Sequence, residues 1–362
     1  SSKLDVNTAT DAQLEQLLTP LLADLGVENA PELIAALLDW RDADDDVRDG
    51  GAEAEYYATL TPPYRPKNGP FDTVEELLLV RGFTAAILWG EDTNRNGLLD
   101  PNEDDGDTTF PYYDNGDGIL NHGIAPFLTV WSREPDAALD NKPRINLNAN
   151  SAIVMAQIGS DIEEGQLSDT TIGFLAGLAG RPEVQQLRSV ADLYAGDEPD
   201  DELPDMVRNS PVQREELPVL MDRFSVRPAN QSGEPLRGLI NLNTAPRRVL
   251  LLVPGLTPEA AEAIIAGRSG DAERRRTTAW PVTEEVLDAA TFRAIAPYVT
   301  TKAYQFHVEI VAYGDHTRLS RRYEWIIEMV GPVAQVKFER ELTALGSAWP
   351  VDRDLTTVVG SR

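Results

Sequence analysis

Hydrophobic and polar positions follow a helical period along most of the chain, up to about residue 301, and a period of two after it. Three helical stretches each begin with a similar phrase in which Asn or Thr is a good N-cap candidate. These opening phrases are Leu4–Ala9, Ile145–Asn150 and Ile240–Ala245. Three further segments read as helices that start at Ser or Thr: Phe71–Leu77, Leu187–Leu193 and Pro281–Leu287. Related closing phrases follow at Ile124–Val130, Leu220–Val226 and Ile295–Thr301, and this repeated order predicts three tandem helical units.

The repeats and the change of period divide the chain. We predict a first helical unit at 1–133 with acidic insertions, a second unit and acidic linker at 134–235, a third unit at 236–303, a sheet at 304–345 and a tail at 346–362. The third unit has a helix-hairpin-helix pattern: Ala245–Val253, the turn Pro254–Pro258 and Glu259–Arg268. The linker is the proline-broken stretch Gly196–Pro204. The predicted fold class is therefore α+β, with tandem helix-hairpin-helix or SAM-like units followed by a small antiparallel sheet.

The period of two predicts strands at Tyr304–Tyr313 and Leu319–Met329, joined by a turn at Gly314-Asp315, and a third strand at Ala334–Glu339. Each of the first two strands places its apolar residues on one face, with Arg321 as the exception. A sheet of two or three strands needs a partner for such a face. We expect a long helix outside this sequence to supply it.

The charge balance limits the partners. With 60 acidic against 32 basic residues, the formal charge is −28, which repels nucleic acid phosphates and anionic lipid and favours cations. There is no cysteine, so disulfides, thiolate zinc sites and cysteine nucleophiles are excluded. No apolar run reaches the roughly 18 residues expected of a membrane span, and no signal peptide opens the sequence.

The stretch Asp92–Glu103 has the ligand spacing of a twelve-residue calcium loop. Oxygen side chains stand at positions 1, 3, 5, 9 and 12, Gly97 at position 6 supplies the sharp turn, and a carbonyl is offered at position 7. The ligands are Asp92, Asn94, Asn96, Leu98 through its carbonyl, Asp100 and Glu103. A solvated turn rich in Asp and Asn explains the polar residues but not the Gly at 6 together with the Glu at 12. No helical pattern follows Glu103, so we expect a structural calcium ion and not a full EF-hand.

A second acidic run places carboxylates at Asp42, Asp44 and Asp46 and a glutamate at Glu53, with the same 1, 3, 5 and 12 spacing. Position 6 is Val47, which strains the same loop geometry. A second cation, with Asp39 or Glu55 as further candidate ligands, and a charged solvated loop are both open. Asp114–Gly118 is shorter, and a tight turn is favoured there over an extra ligand.

DNA binding and catalysis are the rival function classes. The hairpin of Ala245–Arg268 lacks a second glycine, and Pro258 removes one amide that would meet a phosphate. The best feature in favour of DNA is the basic cluster Arg274–Arg276 with Arg247, Arg248 and Arg268. For an enzyme, we find no nucleophile, phosphate-loop or metalloprotease motif, and a carbohydrate-active site would need an apolar-walled carboxylate cleft. The three histidines, His122, His307 and His316, are far apart in sequence.

Several blocks together resemble the K-type minor pseudopilin of the type II secretion pathway. They are Lys3–Ala9, Leu37–Asp44, Gly51–Tyr57, Lys67–Gly82 and Ile240–Ala245. The most specific are the Asp-Trp, Asp-Ala-Asp, Gly-Ala-Glu, Tyr-Tyr and Asn-Gly-Pro-Phe blocks. The likeness covers most of 1–130 and 240–330.

The resemblance implies a non-enzymatic, single-pass inner-membrane protein whose pilin-like helix precedes residue 1 and whose ectodomain lies in the periplasm. It implies a helical domain with calcium sites inserted into a pilin-type sheet, located at the pseudopilus tip. The implied partners are the I- and J-type minor pseudopilins, with a secretion substrate or the outer-membrane secretin as further candidates and no nucleic acid. This family carries two helical units where we count three, and the Asp92–Glu103 loop resembles an elaboration.

Overall fold

The computed structural model describes residues 1–196, 204–231, 233–314, 319–346 and 348. The core of the predicted acidic linker, His316, Asp315 and most of the predicted tail lie outside these residues. Two compact units are present: Leu4–Trp131 with Gln305–Arg362, and Ser1–Lys3 with Ser132–Tyr304. Across the described residues, no helix combines the length and the apolar character that a bilayer crossing requires.

Two amphipathic helices, α1 (Asp11–Asp24) and α2 (Ala30–Arg41), form the first core. The leucines of α1 recur with a helical period on one buried face: Leu14, Leu17, Leu18, Leu21 and Leu22. Thr10 begins α1 with a capping box, in which its hydroxyl accepts from Gln13 N at 3.2 Å and Gln13 Oε1 accepts from Thr10 N at 3.0 Å.

The rest of the first repeat is less helical than its pattern predicts. Two five-residue helices follow, α3 (Ala54–Ala58) and α4 (Ala85–Trp89). Between them, the predicted helix at Phe71–Leu77 is a 3₁₀ segment, Val74–Leu79, and Thr73 makes no side-chain cap. Leu77 of this segment is buried, and Glu76 Oε2 accepts from Asp72 N at 2.9 Å.

Each opening phrase pairs with the closing phrase of the same repeat as a two-residue parallel strand pair. The pairs are β1 (Leu4–Asp5) with β2 (Leu128–Thr129), β3 (Ile145–Asn146) with β4 (Phe224–Ser225), and β5 (Ile240–Asn241) with β6 (Val299–Thr300). Sequence analysis recognised both phrases but not their pairing. Parallel strands need a long connection, and here each connection is the whole helical repeat.

The unit containing Ser132–Tyr304 has eight α-helices among its described residues, besides short 3₁₀ segments. They are α5 (Ser151–Asp161), α6 (Asp169–Leu178), α7 (Asp205–Arg208), α8 (Leu217–Arg223), α9 (Arg247–Leu250), α10 (Pro258–Gly267), α11 (Trp280–Thr283) and α12 (Ala289–Ile295). Val154 and Leu220 share one buried core with Val282 and Phe292, so the predicted second and third repeats pack as one body.

Two predicted helices in this unit differ from the structure, the first in type and the second in where it starts. The Leu187–Leu193 segment is a 3₁₀ helix, Val190–Leu193, capped by Ser189. In the Pro281–Leu287 segment, α11 ends at Thr283 instead of starting there. Trp280, which is 1% exposed, is buried by this earlier start.

The predicted three-stranded antiparallel sheet is confirmed. Its strands are β7 (Gln305–Tyr313), β8 (Ser320–Val330) and β9 (Val333–Glu341), in the order β7-β8-β9. The register opposes Phe306 to Ile327, so the predicted apolar residues share one face. That face is the more open one, with Phe306 45% exposed, whereas Arg322 and Glu328 on the opposite face are buried.

Candidate cation site

The Asp92–Glu103 loop lies in an insertion that leaves and re-enters the fold through two glycines. A Cβ on Gly90 would lie 2.0 Å from Asn121 O, and a Cβ on Gly123 would lie 2.6 Å from Ile87 O. The backbones are joined there by Glu91 N to Asn121 O at 2.7 Å and Ile124 N to Ile87 O at 3.0 Å. This narrow neck fixes both ends of the insertion Gly90–Gly123.

The first half of the loop turns around the Asp92 carboxylate. Asp92 Oδ1 accepts from Asn96 N and Oδ2 accepts from Gly97 N, both at 3.0 Å. Gly97 has a φ of +71° and nothing within 4 Å of a Cβ position, so glycine is favoured here by the backbone and not by crowding. Loop positions 1, 5 and 6 are therefore held together as the calcium-loop prediction requires.

The second half of the loop is closed by Glu103, which is 1% exposed. Its Oε1 accepts from Thr93 N at 3.0 Å and its Oε2 accepts from Asp100 N at 3.2 Å, so both oxygens face the loop. Burial raises the pKa of Glu103, although these backbone donors act in the opposite direction. Position 12 thus presents a desolvated carboxylate to positions 1 to 9.

The other predicted ligands meet at Asp100. Asp100 Oδ2 accepts from the side-chain amides of Asn94 and Asn96, and its Oδ1 is buried without a hydrogen-bond partner. A half-turn of either amide exchanges its nitrogen for its oxygen. No trio of His, Asp or Glu side chains in the described ranges is grouped to hold a metal, so an ion here would depend on the asparagines and the Leu98 carbonyl as well. A buried carboxylate oxygen without a donor fits a hard cation.

In the second acidic run, the carboxylates that the structure buries differ from those that the ligand spacing selects. Glu53 is 3% exposed, and neither of its carboxylate oxygens has a hydrogen-bond partner. Burial, followed by the charges of Asp39 and Asp42, raises the pKa of Glu53 to about 7. Asp44 and Asp46 are exposed, with Asp46 N donating to Asp44 Oδ1 at 3.0 Å. Asp39 and Glu53 are therefore the buried carboxylates of this candidate site, and Asp42 is half-buried.

Arg48 compensates part of this negative charge. Its Nη1 lies 3.1 Å from Asp39 Oδ1 and also contacts Asp42. Asp39 is otherwise used by the fold, since its Oδ2 accepts from Ala52 N at 2.8 Å. Glu53 receives no such donor, so it is the residue of this cluster that a cation would serve most directly.

Two further carboxylates hold the insertion by accepting backbone amides. Asp114 Oδ2 accepts from Asp105 N at 2.6 Å and from Gly106 N at 2.8 Å, which gives it a structural role in the predicted turn. Glu91 accepts from Asn115 N at 3.2 Å and from Asn121 N at 3.0 Å. Sequence analysis missed Glu91, whose only local signal is that it stands directly before the loop.

The two histidines in the described ranges have separate partners. His122 Nδ1 lies 3.6 Å from Asp92 Oδ2, and His307 Nε2 lies 2.8 Å from Glu324 Oε1. A cavity of about 130 Å³ in the unit containing Ser132–Tyr304 has buried charges on its wall. There Lys302 Nζ donates to Ala137 O at 2.6 Å, and Glu134 Oε2 accepts from Thr300 Oγ1 at 2.8 Å. These charged groups are used by the fold.

The basic cluster proposed for DNA is engaged within the protein. Arg268 donates to Leu242 O at 2.8 Å and to Ala245 O at 2.7 Å, which ties α10 back to the third opening phrase. Three other arginines have carboxylate partners within 3.0 Å: Arg247 with Glu262, Arg274 with Glu284 and Arg276 with Glu273. Neutralised arginines contribute little to phosphate binding.

The N-terminal part of the chain, which includes most of the first repeat, is similar to known proteins. Residues 2–89 match the family model described as type II secretion system, protein K. Over 74 residues the chain is 43% identical to type II secretion system protein K of Klebsiella pneumoniae, a match that spans 20% of this chain and 23% of that protein.

A crystal structure of the GspK-GspI-GspJ complex from enterotoxigenic Escherichia coli aligns with 94% of this chain and 76% of that chain, at 13% identity and a TM-score of 0.36. A similarity at this level supports no conclusion about the fold. The family model, in contrast, covers the segments that first suggested the resemblance, from Lys3–Ala9 to Lys67–Gly82. Residues 2–89 of the chain are therefore similar to type II secretion system protein K, and the match spans about a quarter of that protein's length.

Proposed function

We propose that this chain is the periplasmic part of a minor pseudopilin, a structural component of a type II secretion system and not an enzyme. The observation that carries the proposal is the family match at residues 2–89. Its most specific blocks converge in space. Trp40 stacks edge-on against Tyr57 with ring centroids 5.3 Å apart, Gly69 N donates to Trp40 O at 3.3 Å, and Asn68 Nδ2 donates to Asp44 O at 2.8 Å.

These contacts give the family blocks a structural role. They close the acidic insertion Arg41–Gly69, with Trp40 and Asp44 on one side and Gly69 and Asn68 on the other. The blocks therefore maintain a fold and not a reactive centre. A structural subunit needs such shape-keeping contacts, which agrees with a non-enzymatic role.

Calcium is the second part of the proposal. We assign one ion to Asp92–Glu103, where Asp100 Oδ1 is buried without a donor, and propose a second beside Glu53, where backbone or water oxygens would have to complete the ligand set. The ions would neutralise carboxylates that otherwise repel one another and so stiffen the domain. The three repeats, as helix-hairpin-helix or SAM-like units, would then supply a bulky rigid ectodomain that suits a pseudopilus tip.

The sheet supports membrane anchoring through a preceding helix. Its open face carries Phe306 and Val336, which are 45% and 49% exposed. A pilin-like helix packed there would bury this face and lead into the inner membrane. The partners proposed from the family are the I- and J-type minor pseudopilins, with a secretion substrate and the secretin as further candidates.

Export by the native host tests the function. Deleting the gene should abolish secretion of type II substrates, and the full-length protein should restore it and co-purify with the I- and J-type pseudopilins. A control protein lacking residues 2–89 should be inactive. Unchanged secretion in the deletion strain would refute the proposal.

A further inference from the structure

The most deeply buried cation of the sheet reaches the candidate calcium loop. The Arg322 side chain, in the middle of β8, is 0% exposed. Its Nη1 donates to Asn94 O at 2.8 Å and its Nη2 donates to Arg95 O at 3.1 Å. These carbonyls belong to loop positions 3 and 4, so a residue 228 positions away in sequence holds the loop backbone.

The charge of Arg322 is compensated by the neighbouring strand. Arg322 Nε and Nη2 donate to Glu309 Oε1 at 2.8 Å and 2.6 Å. The predicted calcium ligands at positions 3 and 7 are the Asn94 side chain and the Leu98 carbonyl. Arg322 therefore takes none of the predicted ligand oxygens, and its paired charge opposes a nearby cation only weakly.

Loop position 4 is fixed from a second direction. Arg95 has a φ of +56°, and its guanidinium lies 3.6 Å from the centre of the Trp89 ring. Its Nη1 is 3.5 Å from Glu75 Oε1, which also accepts from Arg340 of β9 at 2.7 Å. Strand β8 thus holds the loop backbone directly through Arg322, and β9 is linked to Arg95 through the shared Glu75.

We propose that Arg322 is a positioning residue for the cation loop, so that calcium occupancy and attachment of the loop to the sheet are coupled. The inference rests on the calcium site of the proposed function. A loop whose backbone is already held loses less conformational freedom when it closes on an ion. Removing an outer-shell partner typically lowers metal affinity by about 10- to 100-fold. Coupling is reciprocal, so the bound ion should in turn stabilise β8.

Calcium titration calorimetry of the purified chain tests this. The background is Glu53→Gln, which leaves the loop as the remaining candidate site. In that background, Arg322→Ala should weaken calcium binding about tenfold or more. Arg322→Lys should bind calcium more tightly than Arg322→Ala, because an ammonium replaces one hydrogen-bond donor but not the several donors that a guanidinium presents in one plane. The matched control is Arg321→Lys, at a 64% exposed neighbour paired with Glu341.

Hydrogen exchange supplies a readout that a general loss of stability does not mimic. Calcium should slow exchange in β8 peptides of the background protein and do so less in its Arg322→Lys variant, while Asp92–Glu103 is protected in both. Equal calcium affinity in Arg322→Lys and Arg321→Lys would overturn the positioning role and leave the calcium site intact. No calcium binding by the background protein would overturn the loop site and this inference together.

Discussion

The Asp39 carboxylate occupies the space that a side chain on Gly51 would need. A Cβ on Gly51 would lie 2.0 Å from Asp39 Oδ2, and that oxygen accepts from Ala52 N at 2.8 Å. Asp39 is fully buried at the end of α2. The close approach explains the Gly-Ala-Glu block and places Glu53 beside the buried aspartate.

Gly51→Ala should therefore destabilise the protein. The methyl group would displace a buried carboxylate and its amide donor, so we expect a loss of about 1–3 kcal/mol, the usual cost of overpacking. Gly69→Ala is the matched control, since its Cβ would have nothing closer than 3.8 Å. Urea unfolding measures both. Equal stability of the two variants would show that Asp39 and Gly51 are not packed as described.

Calcium should raise the melting temperature, and a chelator should lower it. At free calcium about 100 times the dissociation constant, one ion that binds only the folded state adds about 2.7 kcal/mol. Glu103→Gln should remove the contribution of the loop, because Glu103 faces the loop with both oxygens. Glu164→Gln, at an exposed glutamate, is the control. A melting curve that chelator does not change would reject calcium stabilisation.

Stability without calcium should depend on Glu53 between pH 4.5 and about 7. Its carboxyl keeps a proton in the folded state up to a pKa of about 7, against 4.5 when unperturbed. The folded state thus binds more protons in this window, and stability should fall as pH rises through it. Chemical denaturation in chelator at pH 5 and pH 7.5 measures the fall.

The Glu53→Gln variant is the control for this titration. It should lose much of the pH dependence, since a neutral amide has no proton to release. Excess calcium should reduce the fall in the unmodified protein, because the ion binds the carboxylate form. A stability that rises with pH in chelator would contradict the assignment.

Substitution of Thr10 should destabilise the protein more than substitution of Thr8, because only Thr10 caps α1. Thr10→Ala removes the capping box at Asp11–Asp24 and should cost about 1 kcal/mol. Thr8 is exposed and outside that box, so Thr8→Ala should change stability by less than about 0.5 kcal/mol. Thermal unfolding of the two variants provides the comparison. A larger loss from Thr8→Ala would place the helix start elsewhere.

The protein should not bind duplex DNA with the steep loss of affinity at rising salt that is typical of proteins that bind phosphates. The arginines Arg247, Arg274 and Arg276 each have a carboxylate partner, and the formal charge of the chain is −28. Fluorescence anisotropy at low salt is the measurement. Affinity that falls steeply between about 50 and 200 mM salt would support the DNA-binding alternative instead.

The spacing of residues along the chain was sufficient to predict structure wherever contacts between sequence neighbours decide it. The alternation after residue 301 predicted the antiparallel sheet, and the one-in-two spacing with Gly97 predicted the turn of the Asp92–Glu103 loop. In the second acidic run, the spacing and the burial select different residues. There, burial selects Asp39 and Glu53, and Asp46 remains exposed.

By itself, the sequence determined the repeated phrases, the strands, the acidic character and the order of oxygen side chains in the loop, because these depend on residue type and period. Only the tertiary structure decided that opening and closing phrases pair as strands, that Glu91 holds the insertion, and that Arg322 reaches Asn94. Those contacts join residues far apart in the chain. Whether a charge is buried, and what compensates it, depends on which distant backbone arrives beside it, and no local pattern carries that information.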